Sequence, residues 1–549
     1  MISIGVSSAT LILGAHTIFR DLNWEIQSDQ KIGLIGPNGA GKSSLLKMII
    51  GEHRPEPGGA IMKARGVTVG YLPQQIDFDP ETTALKLVMD GNPRIAQIET
   101  ELSLIELKLG DPLVYQNEKE LTRALESLQA MLEEFELRGG RVYPARVREL
   151  LRGLGLANVD MEKPIGVLSG GQKKLVGLAR LLLAEPQVLL LDEPDNHLDL
   201  AGKSFLERLI SEYPGAVVLI SHDRYLLDAV VTHIAEIEHG ALTTFSGNYT
   251  EYIVEREMHL ARAEELFRIQ QRAVSRMEMA VRRYRLWTTF NDKFASRLHA
   301  MESRIARVAT IEKPITERRK IELNLAGWRG SNQVLELERI SKGFEGHPLL
   351  ANIQLMIRHG ERVGMIGANG AGKSVLLRII LGEEAPDRGE IKLGPSVKIG
   401  YYAQEHETLN FDQTLIEAVR HAGRMNEHSA VSFLVRYLFT YEQSTQAIGS
   451  LSGGERSRLQ LAMLVLSGAN FLLLDEPTNN LDIPSAEILE NSLADFEGTV
   501  LVISHDRYFL DRTVNRILLL ENGTLSEYPG GYSDYAQKKA GVKPDGAAS

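Results

Sequence analysis

The chain has 549 residues, of which 43% are hydrophobic and 24% charged, and this is enough for two large cores. No run approaches the roughly 18 consecutive apolar residues that a membrane span requires, and the N-terminus lacks a signal-like apolar core, so we expect no contact with a membrane. Zero cysteines exclude disulfides, thiolate zinc sites and iron–sulfur clusters and fit a cytoplasmic location, while the net charge of −11 argues against a uniformly basic nucleic-acid-coating protein.

The first motif along the chain is a phosphate-binding loop. KIGLIG at residues 31–36 predicts a short buried strand, and the apolar spacing after GPNGAGKSS predicts a helix. Glycines let backbone N–H groups face phosphates, and a lysine adds a positive charge. This spacing disfavours the alternative of a plain tight turn. The candidate phosphate-binding residues are Gly36, Pro37, Asn38, Gly39, Ala40, Gly41, Lys42, Ser43 and Ser44, with the Ser43 hydroxyl also a candidate Mg²⁺ ligand.

An insertion follows this loop. Gln74, in GYLPQ, is a candidate sensor of both the metal and the attacking water, and it lies 94 residues before Leu168. The corresponding separation in the second half, from Gln404 to Leu451, is 47 residues, so about 47 extra residues lie near 92–140. Helically spaced apolar residues on both sides of GDPLVY predict a helical hairpin, which we call the arm. Its acidic balance favours a protein contact over a phosphate contact, and inert decoration is the alternative.

The arm is followed by an LSGGQ signature motif and a Walker B strand. Ser169, Gly170 and Gly171 lie at the start of a predicted helix, whose polarised N-terminus suits a phosphate. VLLLDE at residues 188–193 predicts an apolar strand that ends in two carboxylates. Asp192 is a candidate Mg²⁺ ligand, and Glu193 is placed to orient or deprotonate the attacking water.

Two further positions belong to the first copy. His222, in SHDRY after the strand AVVLIS, is a candidate contact to the γ-phosphate, with a structural histidine as the alternative. EPDNHLD has Asp195 where the second copy has Thr478, and we expect this carboxylate to lie near the first site.

A basic segment separates the two copies of these motifs. Residues 251–330 hold 17 Lys or Arg and 11 Asp or Glu, a local net charge of +6 in an acidic chain. Helical periodicity predicts an antiparallel helical pair that breaks near residues 287–292, which we call the linker. Its tip combines arginines with Tyr284, Trp287, Phe290 and Phe294, a composition that suits RNA contacts. A solvated helix with core-facing aromatics is the alternative.

The second half repeats every motif. The 24 residues that separate Leu168 from Asp192 also separate Leu451 from Asp475, which indicates a duplication. Aligning the two Walker A loops places Phe344, a candidate for stacking on adenine, opposite Leu13. The candidate phosphate-binding residues are Gly367, Ala368, Asn369, Gly370, Ala371, Gly372, Lys373, Ser374 and Val375, with Ser452, Gly453 and Gly454 in the signature LSGGE. The candidate Mg²⁺ ligands are Ser374, Asp475 and Gln404, and the candidate catalytic residues are Glu476, His505 and Gln404.

Taken together, the two cassettes, the arm and the basic linker resemble the ABC-F family over essentially the whole chain. The motifs that carry the resemblance are LSGGQ, EPDNHLD, SHDRY, GNYTEY, RLHAMESRIARV and IEKP. It implies an α/β fold with two P-loop ATP-binding cassette domains in tandem, an inserted helical arm and an antiparallel α-helical linker. The predicted domains are a first cassette at 1–255 with the arm at about 92–140, the linker at 256–330, a second cassette at 331–540 and a short flexible tail at 541–549.

The resemblance also implies the composition of two ATP sites. The cassettes of one monomer are expected to close head to tail, so that each signature completes the other cassette's site. The first site would combine Lys42, Asp192 and Glu193 with Ser452 and Gly453, and the second Lys373, Asp475 and Glu476 with Ser169 and Gly170. The implied cofactors are ATP and Mg²⁺.

Family members are ATPases that bind the ribosome, and the implied partners are ribosomal RNA, tRNA and a ribosomal stalk protein. Throttle, housekeeping and antibiotic-resistance roles all remain open at this point. The linker tip, RLWTTFNDKFASR, is poorer in lysine than the family pattern. An alternative class is the ATP-hydrolysing subunit of a membrane transporter, in which the arm and the linker would have no role. DNA-repair and chromosome-associated relatives need cysteine-bound zinc or very long coiled coils, and neither is present in this sequence.

Overall fold

The structure is a computed structural model of the chain. It describes residues 1–14, 16–74, 76, 78–115, 117–156, 161–168, 170–196, 198–288, 299–300, 302–304, 331–344, 347–403, 409–437, 439–479, 481–539 and 541. Contacts divide the chain into one unit of Met1–Thr244 with Ile321–Ser549, which contains both cassettes, and a second unit of Phe245–Lys320.

The first cassette is built on two sheets. Its strands are β1 (Ile2–Leu13), β2 (His16–Gln27), β3 (Lys31–Ile35), β4 (Ala60–Lys63), β5 (Val69–Leu72), β6 (Val188–Asp192), β7 (Ala216–Ile220), β8 (His233–Glu238) and β9 (Ala241–Ser246). One sheet has the order β5-β6-β7-β3-β8-β9, with β5, β6, β7, β3 and β8 parallel. The other is the antiparallel sheet β2-β1-β4. The predicted strand KIGLI is the central, fully buried β3, as expected for a short continuous apolar run.

Helices cover these sheets and carry the predicted motifs. They are α1 (Lys42–Ile50), α2 (Ala84–Met89), α3 (Pro93–Leu109), α4 (Pro112–Tyr115), α5 (Glu118–Leu137), α6 (Tyr143–Gly153), α7 (Gly170–Leu183), α8 (Leu200–Glu212) and α9 (Arg224–Val230). The core between the two sheets and α1 is apolar and includes Ile4, Ile26, Leu34 and Met48. The carboxyl ends of β3, β6 and β7 therefore meet at one edge of a rigid sheet, where ligands of parallel sheets bind.

The arm is a helical hairpin, as predicted. Asn92 caps α3 and Asn117 caps α5, each through its side-chain oxygen. At the base of the hairpin, Arg94 donates to both carboxylate oxygens of Glu134, and this hydrogen bonding lowers the pKa of Glu134 to about 2. Ile98 is buried at the base, whereas several apolar side chains farther along the arm are exposed, among them Leu104, Leu107, Leu125 and Leu132.

The linker begins with one long helix, α10 (Tyr249–Thr288). This start lies inside the predicted first domain of 1–255, because Asn248 and Glu251 cap each other's backbone N–H groups at 3.0 and 3.1 Å. Arg285 Nη2 donates to Glu302 Oε1 at 2.8 Å, so residues on the two sides of the predicted break are in contact. Of the helix predicted to follow the break near 287–292, the structure describes residues 299–300 and 302–304, and the side chain of Trp287 lies outside the described residues.

The second cassette repeats the first. Its strands are β10 (Gln333–Phe344), β11 (His347–Arg358), β12 (Arg362–Ile366), β13 (Arg388–Leu393), β14 (Ile399–Tyr402), β15 (Phe471–Asp475), β16 (Thr499–Ile503), β17 (Arg516–Glu521) and β18 (Thr524–Pro529). Their orders are β14-β15-β16-β12-β17-β18 and β11-β10-β13. Its helices are α11 (Lys373–Leu381), α12 (Leu415–Gly423), α13 (Glu427–Arg436), α14 (Tyr441–Ser444), α15 (Gly453–Ser467), α16 (Ile483–Asp495), α17 (Arg507–Thr513) and α18 (Tyr532–Lys539). The predicted tandem α/β fold is confirmed.

In the described part of the chain, no helix is both long enough and apolar enough to cross a membrane.

Candidate functional site

The first phosphate-binding loop joins β3 to α1 and depends on its glycines. Gly41 adopts a left-handed conformation (φ 96°) directly before α1, so the chain turns into the helix without a steric penalty. Gly36 has φ 149°, and a Cβ at this position would lie 2.3 Å from the carbonyl oxygen of Ile237. Residues with side chains are therefore excluded at Gly36, and the loop backbone lies close to β8.

Lys42 is held inside this loop. Its Nζ donates to the carbonyl oxygens of Gly36 at 2.7 Å and Pro37 at 3.1 Å. Burial lowers the pKa of Lys42, and the carboxylates of Asp482, Glu193 and Asp192 oppose that shift. A buried cation enclosed by a glycine-rich loop can bind a polyphosphate, whose charge would replace the two carbonyl contacts.

The residues expected to hold Mg²⁺ lie together. The hydroxyl of Ser43, at the start of α1, lies near Asp192 at the end of β6 and opposes the effect of burial on the pKa of that carboxyl group. Asp192 is 1% exposed, and burial raises its pKa. A hydroxyl and one carboxylate are hard oxygen donors, which fit Mg²⁺ when substrate phosphates and water complete the coordination.

Glu193 lies at the centre of a polar cluster beside Asp192. Gln74 Nε2 donates to Glu193 Oε2 at 3.0 Å, and Asn196 Nδ2 donates to the same oxygen at 2.7 Å. His222 Nε2 is 3.7 Å from Glu193 Oε1, and burial, followed by the charge of Lys42, lowers the pKa of His222 to about 4. The structure thus brings together the predicted glutamine, carboxylate and histidine, and their catalytic roles remain predictions.

The second loop has the same geometry. Lys373 Nζ donates to the carbonyl oxygens of Gly367 at 2.8 Å and Ala368 at 3.0 Å. Gly372 has φ 98° before α11, and a Cβ on Gly367 would lie 2.4 Å from the carbonyl oxygen of Leu520. Ser374 and Asp475 line the same cleft as Lys373. The volume of this cleft is about 290 Å³. The duplication therefore preserves the loop as well as the motif.

Glu476 is more enclosed than Glu193 and contacts the second histidine directly. The backbone N–H of His505 donates to Glu476 Oε2 at 3.2 Å, and His505 Nε2 is 3.5 Å from Glu476 Oε1. Burial, aided by the neighbouring charge of Asp475, raises the pKa of Glu476 to about 7. Burial, followed by the charges of Lys373 and Lys203, holds the pKa of His505 well below its usual value. Gln404 lies outside the described residues.

Each phosphate-binding loop also contacts the opposite cassette. Asp482, which caps α16, accepts a hydrogen bond from the backbone N–H of Asn38 at 2.9 Å. Asp199, which caps α8, accepts one from Asn369 N–H at 3.4 Å. Sequence reasoning missed both aspartates, although each ends a repeated EPxNxLD motif and precedes a helix. The nucleotide clefts thus lie at the boundary between the cassettes.

Reciprocal ion pairs join the cassettes next to these clefts. Arg224 on α9 pairs with Glu490 on α16, and Arg507 on α17 pairs with Glu207 on α8. Arg224 and Glu490 each have side chains that are only 1% exposed. Each of these arginines belongs to one of the two SHDRY motifs, but the sequence did not indicate which residues they pair with. These pairs connect each histidine loop to the other cassette.

Asp195 lies between the two sites. It lines the second cleft with Lys373 and Glu476, and its charge also acts, with those of Glu193 and Asp192, on Lys174 in the first cassette, where the sequence comparison placed it. Burial raises the pKa of Asp195 to about 6, and the charge of Lys203 opposes the shift. This position arises because the loop after β6 runs along the cassette boundary, so that Asp195 and Asn196 line the second cleft while Asn196 also contacts Glu193 of the first site.

Lys203 lies near Asp195 and is itself buried. Its Nζ donates to Asp223 Oδ2 at 2.8 Å within the first cassette and to the carbonyl oxygen of His505 at 3.0 Å in the second. Burial acts to lower the pKa of Lys203, but the carboxylates of Asp223 and Asp195 raise it above its usual value. Lys203 therefore remains a cation at the cassette boundary.

The signature motifs begin helices, as predicted. Gly170 and Gly171 start α7, and Gly453 and Gly454 start α15. Ser452 caps α15, and its hydroxyl contacts Glu455 Oε2 at 2.7 Å. Ser169 lies outside the described residues, and the contact of either signature with a phosphate of the opposite loop stays a prediction.

The two positions that are candidates for contact with adenine carry different side chains. Phe344 ends β10 and is 46% exposed, with Lys342 Nζ 5.3 Å from its ring centre. Leu13, at the equivalent end of β1, is 38% exposed. An exposed ring is available for stacking, and the role of Phe344 in base binding stays a prediction.

Known families and proteins match the chain along its length. A family model described as "ABC transporter" matches residues 19–196 and 350–479, and a second model with that description matches 235–324. The energy-dependent translational throttle protein EttA of Haemophilus influenzae is 33% identical over 546 residues, which cover 96% of this chain and 94% of that protein. ABC transporter F family member 5 of Arabidopsis thaliana is 33% identical over 536 residues, which cover 95% of this chain and 75% of that protein.

Among solved structures, a similar fold is found in the crystal structure of the archaeal ribosome recycling factor aABCE1 with the ribosomal stalk protein aP1. The TM-score is 0.63 at 19% identity, and the match covers 98% of this chain and 94% of that chain. At 19% identity, this similarity shows a shared fold alone.

Proposed function

The chain belongs to the ABC-F family of ATPases, and we propose that it acts in translation by binding the ribosome with its cassettes closed on ATP. The observation that carries the proposal is the match to the translational throttle protein EttA over almost the full length of both proteins. Hydrolysis would open the cassettes and release the ribosome. The rate of ATP hydrolysis would then set how long the protein stays bound to the ribosome.

The contacts across the cassettes support the closed state as the one that binds. Asp482 approaches the loop of Lys42, and Asp199 approaches the loop of Lys373, so a nucleotide in either cleft would lie against both cassettes. A ligand that contacts both halves favours their closure in proportion to its differential affinity.

Within each site, the chain's own groups would divide the chemistry. Ser43 and Asp192, and Ser374 and Asp475, would hold Mg²⁺, which neutralises phosphate charge when bound. Glu193 and Glu476 would accept a proton from the attacking water, and His222 and His505, kept neutral by burial, would contact the γ-phosphate.

The linker is proposed to contact RNA. Arg282, Arg283 and Arg285 on α10 are exposed near the predicted tip, where they could neutralise phosphates of ribosomal RNA or tRNA. The exposed apolar side chains of the arm suit a protein partner, and we propose the ribosomal stalk protein.

Co-sedimentation with ribosomes tests this function. The double variant Glu193→Gln/Glu476→Gln should bind ATP without hydrolysing it, accumulate in the closed state and pellet with ribosomes in ATP but not in ADP. If it stays in the supernatant at low salt, ribosome binding by the closed state is wrong.

A salt series tests the contact of the linker with RNA. Changing Arg282 and Arg283 to Gln should weaken binding and reduce the salt slope, because fewer counterions are released. Arg262→Gln, an exposed position on the same helix but far from the tip, is the matched control. Equal salt slopes for the tip variant and the control would contradict the RNA contact.

A further inference from the structure

The two ATP sites differ at one pair of buried charges. Positions 192 and 475, the Walker B aspartates, differ by 283, and the same offset relates Asp195 to Thr478 and Lys203 to Ala486. The first cassette therefore has a buried acid and a buried base where the second has two uncharged residues. Asp195 and Lys203 both line the second cleft, so the pair faces the second site.

Lys203 contacts residues of both cassettes beside that site. It contacts Asp223, which caps α9 in its own cassette, and it donates to the carbonyl oxygen of His505 in the other. His505 in turn contacts Glu476 through its backbone N–H and lies beside it through its ring. The cation thus holds the backbone segment that carries the candidate γ-phosphate contact of the second site.

The energetic argument favours a positioning role. A buried ammonium group is costly unless it is paired, and Lys203, which is 7% exposed, has Asp195 and Asp223 beside it within its own cassette. The bond to His505 is a charge-assisted hydrogen bond, which is stronger and more directional than a neutral one. This bond can exist only while the cassettes are closed. At the first site Ala486 has no group that could donate to the carbonyl of His222.

We propose that Lys203, ion-paired with Asp223 and beside Asp195 in the second cleft, is a positioning residue for the second ATP site and has no equivalent at the first. It would fix the His505 segment when the cassettes close, so that hydrolysis at the second site depends on a contact that the first site does not need. The inference rests on the proposed assignment of catalytic residues to the two sites.

Single-site variants provide the test. Glu193→Gln leaves only the second site able to turn over, and Glu476→Gln leaves only the first. Into each we would introduce Asp195→Thr/Lys203→Ala, which copies Thr478 and Ala486 and removes an acid together with the base. Asp223 then loses its ion pair with Lys203 but keeps Arg507 Nη2 at 3.8 Å from its Oδ1. We expect kcat to fall by about tenfold or more at the second site, the size of one lost charge-assisted hydrogen bond, with KM for ATP changed less than about twofold. The first site should keep its kcat within about twofold, and Lys203→Arg should retain most of the second-site rate.

Two results would overturn the role of Lys203. An equal fall in both single-site variants would mean that the pair serves closure in general, and no fall in either would mean that it serves neither site. If neither single-site parent hydrolyses ATP, the assignment of Glu193 and Glu476 is wrong, and hydrogen exchange then decides the inference. The Asp195→Thr/Lys203→Ala variant should exchange faster than the unmodified protein at residues 504–509, and unchanged exchange there would overturn it.

Discussion

The buried pair between Arg224 and Glu490 should control closure of the cassettes. Glu490→Gln keeps the volume of the side chain but removes its charge, so Arg224 would remain 1% exposed without its carboxylate partner. Arg224 Nη1 also loses its contact with Glu490 Oε2 at 3.4 Å, and Arg512 Nη1 loses its contact with the same oxygen at 3.1 Å.

The structure limits the size of this effect. Removing one partner of a buried ion pair costs about 3–5 kcal/mol. Two groups still compensate Arg224, because Asp506 Oδ2 lies 3.9 Å from its Nη2 and the ring centre of Tyr508 lies 3.9 Å from its guanidinium carbon. We therefore take the lower bound, about 3 kcal/mol, which corresponds to about a hundredfold weaker closure. When the cassettes open, Arg224 can be hydrated, so the cost applies to the closed state alone.

Energy transfer between two dyes would measure closure. The chain has no native cysteine, so Glu52→Cys and Glu383→Cys, at exposed and equivalent positions, would place one dye on each cassette. In the Glu193→Gln/Glu476→Gln background, Glu490→Gln should raise the ATP concentration for half-maximal closure by about tenfold, because two ATP molecules bind to each closed molecule and an about hundredfold weaker closure is offset by an about tenfold higher concentration.

Two further variants make this prediction refutable. Glu136→Gln breaks an exposed pair with Arg141, whose side chain is 76% exposed, and should change closure by less than about 0.5 kcal/mol. Arg224→Met/Glu490→Leu removes both charges and should close nearly as well as the parent. The reasoning fails if Glu490→Gln closes at the parental ATP concentration, or if the double variant is no better than the single one.

Two other predictions concern the loop and the histidine of the first site. Gly36→Ala should lower the melting temperature and abolish nucleotide binding at the first site, since its Cβ would meet the carbonyl of Ile237. Gly66→Ala is the control, because a Cβ at this position would have no atom within 4 Å. It should reduce stability only by the left-handed backbone penalty of about 1–2 kcal/mol. Equal decreases in melting temperature for Gly36→Ala and Gly66→Ala would contradict the clash. The pKa of His222 is lowered to about 4, so as the pH falls from 6.5 towards 4 the unfolded chain takes up a proton that the folded chain does not, and stability is lost. Urea melts at pH 5 and 7 should show this loss reduced in His222→Gln, and an unchanged difference would contradict the assignment.

Much of each cassette follows from local sequence patterns. The apolar runs before Lys42 and Asp192 predict buried parallel strands, and parallel strands bring their carboxyl ends to one edge whatever lies between them in the chain. Glu193 and His222 each follow a strand of one parallel sheet, and this topology brings His222 Nε2 to 3.7 Å from Glu193 Oε1. The arm was also predictable, because the two helical periodicities flank a clear turn.

The contacts across the cassettes were not predictable in the same way. Arg224 and Glu490 are 266 residues apart, and no periodicity relates an arginine after one strand to a glutamate in the middle of a distant helix. For the same reason the sequence did not show that Asp195 also lines the second cleft, since its position in the sequence identifies its loop but not the side of the boundary that its side chain faces. Local patterns define each cassette, whereas the interface depends on how the two surfaces fit.

The reciprocal pairing of Arg224 with Glu490 and of Arg507 with Glu207 has the form of a twofold homodimer contact. In a homodimer every substitution appears twice, so a buried lysine that improved one site would be imposed on the other as well. Once the two halves are covalently joined in one polypeptide, each can change alone while the ancestral symmetric contacts still hold them together. Lys203 and Asp195 illustrate this freedom, because a single copy of the pair can specialise one nucleotide site without altering its twin.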